Sequence, residues 1–344
     1  AATAKGYELP IIQEIWDVLR AFASFGFCKA HAAAFALPTY QSAWLKTHYP
    51  AAFLAGVLTH DPGMYPKRLI VDEARQMGIT IAPIDVNASD SVYRVEDHGN
   101  AIRIALATVS GISDGEVQSI IAGRPYIDLN DFVRRSGCST PVTESLILTG
   151  GFDSLHADVN RRDLLLHFSD LQKSPSAAVS GAQMNLGFDP PALISSGLPA
   201  MSAAESVRYE VDRLGIDMSR HMIEFYGDFL NAIGAVRSSD LLKQRSQSSV
   251  LVAGIKVAMQ TPPVRSGKRV IFLTLDDGYG LSDSAFFTDV QSEYANVLYS
   301  TSLLLVRGVT RRTGARGISI RATGAWDLRA AYESWSAKQS TLAI

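Results

Sequence analysis

The residues of this chain best suited to chemistry stand between Phe25 and Tyr49, where an alanine-rich apolar run is broken by Lys29, His31, Tyr40, Gln41, Lys46 and His48. Ammonium, imidazole, phenol and carboxamide groups hold phosphate oxygens, and the rings also stack on planar groups. The plain alternative is a buried helix whose long cationic side chains reach the surface. Residue order favours the first reading: Lys29 and His31 sit two apart at a helix entrance behind Gly26, where fixed cations and free backbone N–H groups suit a triphosphate. A second basic strip runs from Arg307 to Arg329, where Arg307, Arg311, Arg312, Arg316, Arg321 and Arg329 meet one acid, Asp327. It reads as an anion-binding surface or as an ordinary solvated strand face. The adjacent Asp276 and Asp277 invite a two-metal reading. That reading is rejected, because Asp276-Asp277-Gly278-Tyr279-Gly280 has turn composition and neighbouring side chains diverge there. There is no P-loop or His/Cys metal cluster. Cys28 and Cys138 lack a CxxC partner and are expected to be free thiols in a reducing, cytoplasmic setting.

These groups need elements to carry them, and 344 residues at 47% hydrophobic content allow two or three domains with real cores. A net charge of −2 rules out bulk attraction to nucleic acid, so any such contact must come from local basic patches. No run reaches the ~18 apolar residues of a membrane span. Residues 1–60 read as helices, with Ile11, Ile15, Val18, Leu19 and Phe22 on one stripe and Pro38 and Pro50 as punctuation. Residues 67–77 read as a helix and 78–83 as a strand. Residues 102–170 hold two helical hairpins, with helices over 114–122 and 129–135. Between strand-like 102–106 and the first helix, Val109-Ser110-Gly111-Ile112-Ser113 forms a tight turn that lets the following helix aim its N–H groups at a phosphate. Residues 172–199 shift to Ser, Ala, Gly and Pro, the composition of a mobile connector. From 250 to 324, alternating apolar residues give three strands, a helix over 290–298 and two more strands, the layout of an OB-fold barrel. Its loops would carry Lys268, Arg269, Arg311, Arg312 and Arg316, suited to single-stranded nucleic acid, or the barrel would serve protein contacts alone.

The run from Ser24 to Pro50, with Gly26-Phe27-Cys28-Lys29-Ala30-His31, Tyr40-Gln41 and Trp44-Leu45-Lys46-Thr47-His48-Tyr49-Pro50, resembles the fingers of bacterial C-family DNA polymerases, the DnaE-type polymerase III alpha subunits. Met77-Gly78-Ile79-Thr80-Ile81-Ala82-Pro83 with Asp85-Val86-Asn87-Ala88-Ser89 resembles the connection that follows those fingers, and Leu146-Ile147-Leu148-Thr149-Gly150-Gly151-Phe152-Asp153 a helix end further on. The family's usual G-[IV]-G turn stands here as Gly111-Ile112-Ser113, so a positive φ at Ser113 would be strained. Gln183-Met184-Asn185-Leu186-Gly187-Phe188 fits the pattern of peptides that bind the bacterial sliding clamp, through Gln183, Leu186 and Phe188, or is linker filler. Leu214-Gly215-Ile216-Asp217-Met218-Ser219-Arg220-His221 and residues 261–277 look like the error-prone, damage-induced branch.

The resemblance covers nearly the whole chain and implies a multidomain α+β fold. Its parts are a helical fingers segment with connector (1–95), a helix-hairpin-helix region (96–171), a linker with helical segments (172–244), an OB-fold (245–330) and a tail (331–344). It implies the C-terminal portion of an error-prone DNA polymerase that performs template-directed synthesis in damage tolerance. Lys29, His31, Tyr40 and Gln41 would then lie near the incoming nucleotide. Lys46, Ser110, Gly111, Ser113, Lys268, Arg269, Arg311, Arg312 and Arg316 would lie near DNA. By family order the palm carboxylates that hold Mg²⁺ precede Ala1, so this stretch alone is expected to be inactive and to bind no metal. Implied partners are primer-template and single-stranded DNA, deoxynucleoside triphosphates, the sliding clamp and translesion accessory proteins. The rival reading is a non-catalytic DNA-binding or clamp-adaptor module.

Overall fold

The computed structural model describes residues 2–23, 29–61, 63, 65–173, 193–262 and 269–342. Two helices open it, α1 (Leu9–Ala23) and α2 (Lys29–His48). Both stand outside the core: α2 buries no residue, and Ile11, Ile15, Trp16, Val18 and Leu19 of α1 are all exposed. α2 runs through Pro38, and the hydroxyl of Thr39 one residue on donates to the Phe35 carbonyl at 2.8 Å.

The first core forms around α3 (Pro50–His60) and α4 (Lys67–Gln76), whose Leu54, Leu58, Ile70, Val71 and Ala74 are buried. They pack with a three-stranded sheet of β1 (Thr80–Ala82), β2 (Arg94–Glu96) and β3 (Ala101–Arg103), ordered β1-β3-β2 with β1 parallel and β2 antiparallel to β3. The helical hairpins follow as α5 (Asp114–Ala122), α6 (Leu129–Ser136), α7 (Thr140–Leu148) and α8 (Arg161–Lys173). Tyr126, Phe132 and Phe152 stack edge to face at 4.9 Å in their centre. Each such fully buried ring is worth roughly 2–3 kcal/mol by the area it removes from water. Gly150, at φ +90°, makes the left-handed turn after α7.

The stretch expected to be a linker is structured where it is described. Residues 193–199 are held down, with Ser196 N–H donating to Asp163 at 3.0 Å and Asn160 Nδ2 donating to the Leu198 carbonyl at 3.1 Å. α9 (Ala203–Leu214) then opens on a capping box between Ser202 and Glu205. Leu214, Ile216 and Met218 join the helical core, whereas Ile223 and Phe229 of α10 (Gly227–Ala232) and its approach pack on the barrel side. The chain crosses from one body to the other at residues 218–223.

The barrel contains β4 (Ser249–Gln260), β5 (Ile271–Asp276), β6 (Leu281–Phe286), β7 (Leu303–Arg312) and β8 (Ile318–Asp327), with α11 (Thr288–Ser300) between β6 and β7. It closes in the order β4-β5-β6-β8-β7, with β6 and β8 parallel. Three strands, a helix, two strands and this closure make an OB-fold. Closure needs glycine where strands press together: a Cβ on Gly254 would stand 2.7 Å from the Asp276 carbonyl oxygen. The described residues of the expected tail, 331–342, lie in a helix, α12 (Leu328–Leu342), whose Tyr332 and Trp335 rings pack on Phe229.

Candidate nucleic-acid interface

Lys29 and His31 lie in the first turn of α2, both exposed, with the His31 ring 4.5 Å from that of Phe35. Gly26 lies outside the described residues, so the approach to this helix is not part of the site geometry. Tyr40, 70% exposed, and Gln41 line a surface cleft with Trp44 and Leu45. At 1.5 Å per residue the Lys29 and Tyr40 positions are about 16 Å apart along the axis, so α2 offers two stations, a cationic one and an aromatic one. Lys46 joins neither. Its ammonium is paired with Glu73 of α4, which ties α2 to the core.

At the hairpin, the strain expected at Ser113 is absent. Its φ is −93°, and the positive φ falls on Gly111 at +80°. Ser113 is the N-cap of α5, and its side chain accepts the Glu116 N–H. One Glu116 oxygen accepts from the Ser113 N–H (2.9 Å) and hydroxyl (2.7 Å), and the other from the Ser139 N–H (2.9 Å) and hydroxyl (2.7 Å). These bonds, those from Ser139 first, hold the Glu116 carboxyl down at about 2. The Ser110 N–H donates to the Arg213 carbonyl at 2.8 Å. The N–H groups of Ser110, Ser113 and Glu116 therefore already have partners, and the first turn of α5 carries Asp114 and Glu116. The S-x-x-E spacing Ser113…Glu116 was the signal, legible as a capping box.

On the barrel, Arg311 and Arg316 are exposed, as is Arg269 before β5. Arg312 is exposed but engaged: its guanidinium donates to the Leu242 and Gln244 carbonyls. Lys268 lies outside the described residues, as do Gln183, Leu186 and Phe188. Sequence reasoning did not single out the groove beside these arginines, about 680 Å³, lined by Gln247, Phe287, Thr310, Arg311 and Arg321. The Arg321 guanidinium sits 5.4 Å over the Phe287 ring and pairs with Asp289 at 3.0 Å. A basic groove with an aromatic floor can follow a phosphate backbone and stack a base.

Asp276 and Asp277 do make the turn: their carboxylates accept from Gly278 N–H (2.9 Å) and Tyr279 N–H (3.0 Å). They are more than turn formers, however. Asp277 also accepts from the Ser238 N–H at 2.7 Å, and Asp276 is 1% exposed and faces His221.

Comparison with known proteins agrees with this architecture. The family model for the helix-hairpin-helix motif matches residues 78–164. The chain is 32% identical over 93% of its length to the error-prone DNA polymerase of Symbiobacterium thermophilum, of which it covers 34%. It is 30% identical over 88% of its length to the error-prone DNA polymerase of Bdellovibrio bacteriovorus, and 30% identical over 97% to the DNA polymerase III subunit alpha of Vibrio cholerae, covering 30% of each. The chain thus spans about a third of the length of these relatives.

Proposed function

We propose a role from the premise that the chain belongs to the family of bacterial error-prone DNA polymerases and DNA polymerase III alpha subunits. In the polymerase of which this stretch is a part, it contributes nucleotide and DNA contacts to template-directed DNA synthesis during damage tolerance in the cytoplasm. The observation that carries this reading is the relationship over about nine-tenths of the chain, joined to a helix, α2, that buries nothing and presents Lys29, His31, Tyr40 and Gln41 outward. Lys29 and His31 neutralise the triphosphate of the incoming nucleotide, while Tyr40 and Gln41 form the neighbouring contact surface. Phosphoryl transfer needs Mg²⁺ between carboxylates. Asp277 is bound to Ser238 and to its own turn, so the reading assigns those carboxylates to another part of the polymerase. The barrel groove holds single-stranded template. Primer-template DNA, deoxynucleoside triphosphates, the sliding clamp at 183–188 and translesion accessory proteins are the proposed partners.

The test is steady-state incorporation by a full-length polymerase carrying this stretch. Lys29→Ala and His31→Ala should each raise the KM for nucleotide roughly tenfold, because a charge-assisted phosphate contact is worth on the order of 1.5–3 kcal/mol. The affinity for primer-template should be unchanged. Unaltered nucleotide KM in both variants would leave α2 as a structural arm and favour the non-catalytic DNA-binding module.

A further inference from the structure

Four side chains converge where the helical body meets the barrel: Asp72 on α4, Asp217 just before the crossing segment, His221 within it, and Asp276 at the end of β5. None is more than 2% exposed. Asp72 Oδ2, both carboxylate oxygens of Asp217, His221 Nε2 and Asp276 Oδ2 have no hydrogen-bond partner. Buried carboxylate oxygens left unpaired are costly, and here they point at one another.

The distances about His221 are those of ion pairs and also fit a ligand cage. His221 Nε2 lies 3.7 Å from Asp72 Oδ2 and 3.6 Å from Asp276 Oδ2, too long for N–H···O bonds. One ligand atom each from Asp72, Asp217 and His221 fall within 4.8 Å of one another. Ligands at about 2.0–2.2 Å around a tetrahedral cation are separated by about 3.3–3.6 Å, close to the spacing seen about His221. Charge points the same way. Arg75 is bonded to Asp72 at 2.5 Å, while Arg68, bonded to the Lys256 carbonyl at 3.2 Å, acts on Asp217 and Asp276 only from a distance. Three carboxylates therefore share one bonded guanidinium.

We propose that Asp72, Asp217 and His221 bind one divalent transition cation of the Zn²⁺ or Mn²⁺ kind, with Asp276 facing His221 from the barrel. Imidazole with carboxylates, and no thiolate, selects that class. Coordination through Nε2 places the ring proton on Nδ1, so the 3.2 Å contact from the Ile223 N–H is exchanged for the cation bond. The ligands come from α4 and from the segment that leads into the barrel side, so the cation ties that segment to the helical body. This site is separate from the nucleotide and DNA contacts proposed above and does not depend on them.

The 344-residue chain, purified without chelator and desalted, is assayed for metal by inductively coupled plasma mass spectrometry. Its thermal midpoint is then measured with EDTA, Mg²⁺, Zn²⁺ or Mn²⁺. The expected result is about one zinc or manganese per chain and a midpoint several degrees higher with Zn²⁺ or Mn²⁺ than with EDTA, because a ligand of the folded state stabilises by mass action. Asp217→Asn, which keeps the side-chain shape, should bind at least tenfold more weakly. If that variant does not fold, the wild-type chain decides alone: no retained metal and a midpoint indifferent to cation and chelator overturn the proposal. A metal-free chain whose midpoint instead rises on acidification also overturns it, and assigns the cluster to a shared proton.

Discussion

The Glu116 carboxylate serves two helix N-termini at once, capping α5 through Ser113 and reaching Ser139 ahead of α7. Ser113 thereby contributes to the stability of this hairpin. Ser113→Ala should lower the stability of the chain by about 1 kcal/mol, the usual cost of a lost N-cap, read as a thermal midpoint a few degrees lower. DNA affinity of the same variant, measured by fluorescence anisotropy, should match wild type. Asp131 offers a pH test in the same hairpin. Bonds from Arg135 hold its carboxyl at about 2 against an ordinary 3.8. A depressed carboxyl stabilises the fold above its unfolded value and loses that contribution as pH falls through the folded one. Asp131→Asn should therefore lower the thermal midpoint at neutral pH, and the gap to wild type should close between about pH 4 and pH 2. A gap independent of pH would show that the carboxylate's charge is not what Arg135 holds.

Among the elements, the β7–β8 hairpin carries the DNA proposal for the barrel. A triple change of Arg311, Arg312 and Arg316 confounds two effects, because Arg312 fastens the hairpin to the carbonyls of residues 242 and 244. Arg311 and Arg316 are exposed, with no such bond in the described structure. Arg311→Ala with Arg316→Ala should flatten the salt dependence of single-stranded DNA binding by a slope of about 1.4, or ~0.7 per phosphate contact, with the midpoint unchanged. Equal salt slopes before and after would assign the barrel to protein contacts. α1 and α2 differ from every other long element in the described structure. Their apolar residues Ile15, Trp16, Leu19, Phe35 and Trp44 are exposed, and Lys46–Glu73 is an ion pair between α2 and α4. Amphipathicity established that α1 is a helix, but what its stripe faces is a property of packing.

For the whole molecule, the decisive expectation is that the 344-residue chain incorporates no nucleotide by itself, because the proposed contacts bind substrate without supplying a metal-bound carboxylate pair. Primer extension by the purified chain with Mg²⁺ above a mock preparation would refute it. Much of the architecture was legible in sequence because it is local. The helix read over 114–122 is α5, and the last two strands read from the alternation are β7 and β8. The order of three strands, a helix and two strands was enough for the barrel, since few topologies close such a set. Composition read 172–199 as a mobile connector, but in its described part Asn160 and Asp163 fasten residues 196–198. The meeting of Asp72, Asp217, His221 and Asp276 could not be read at all. Each looks like an ordinary polar residue of its own segment, and only the docking of barrel on helical body brings their unpaired atoms together. Sequence by itself determined the elements and their order, because backbone propensity and hydrophobic period act within a few residues. Tertiary structure decided which donors are already bonded, which cations are free and which carboxylates share a buried space, because those depend on contacts between residues far apart in the chain.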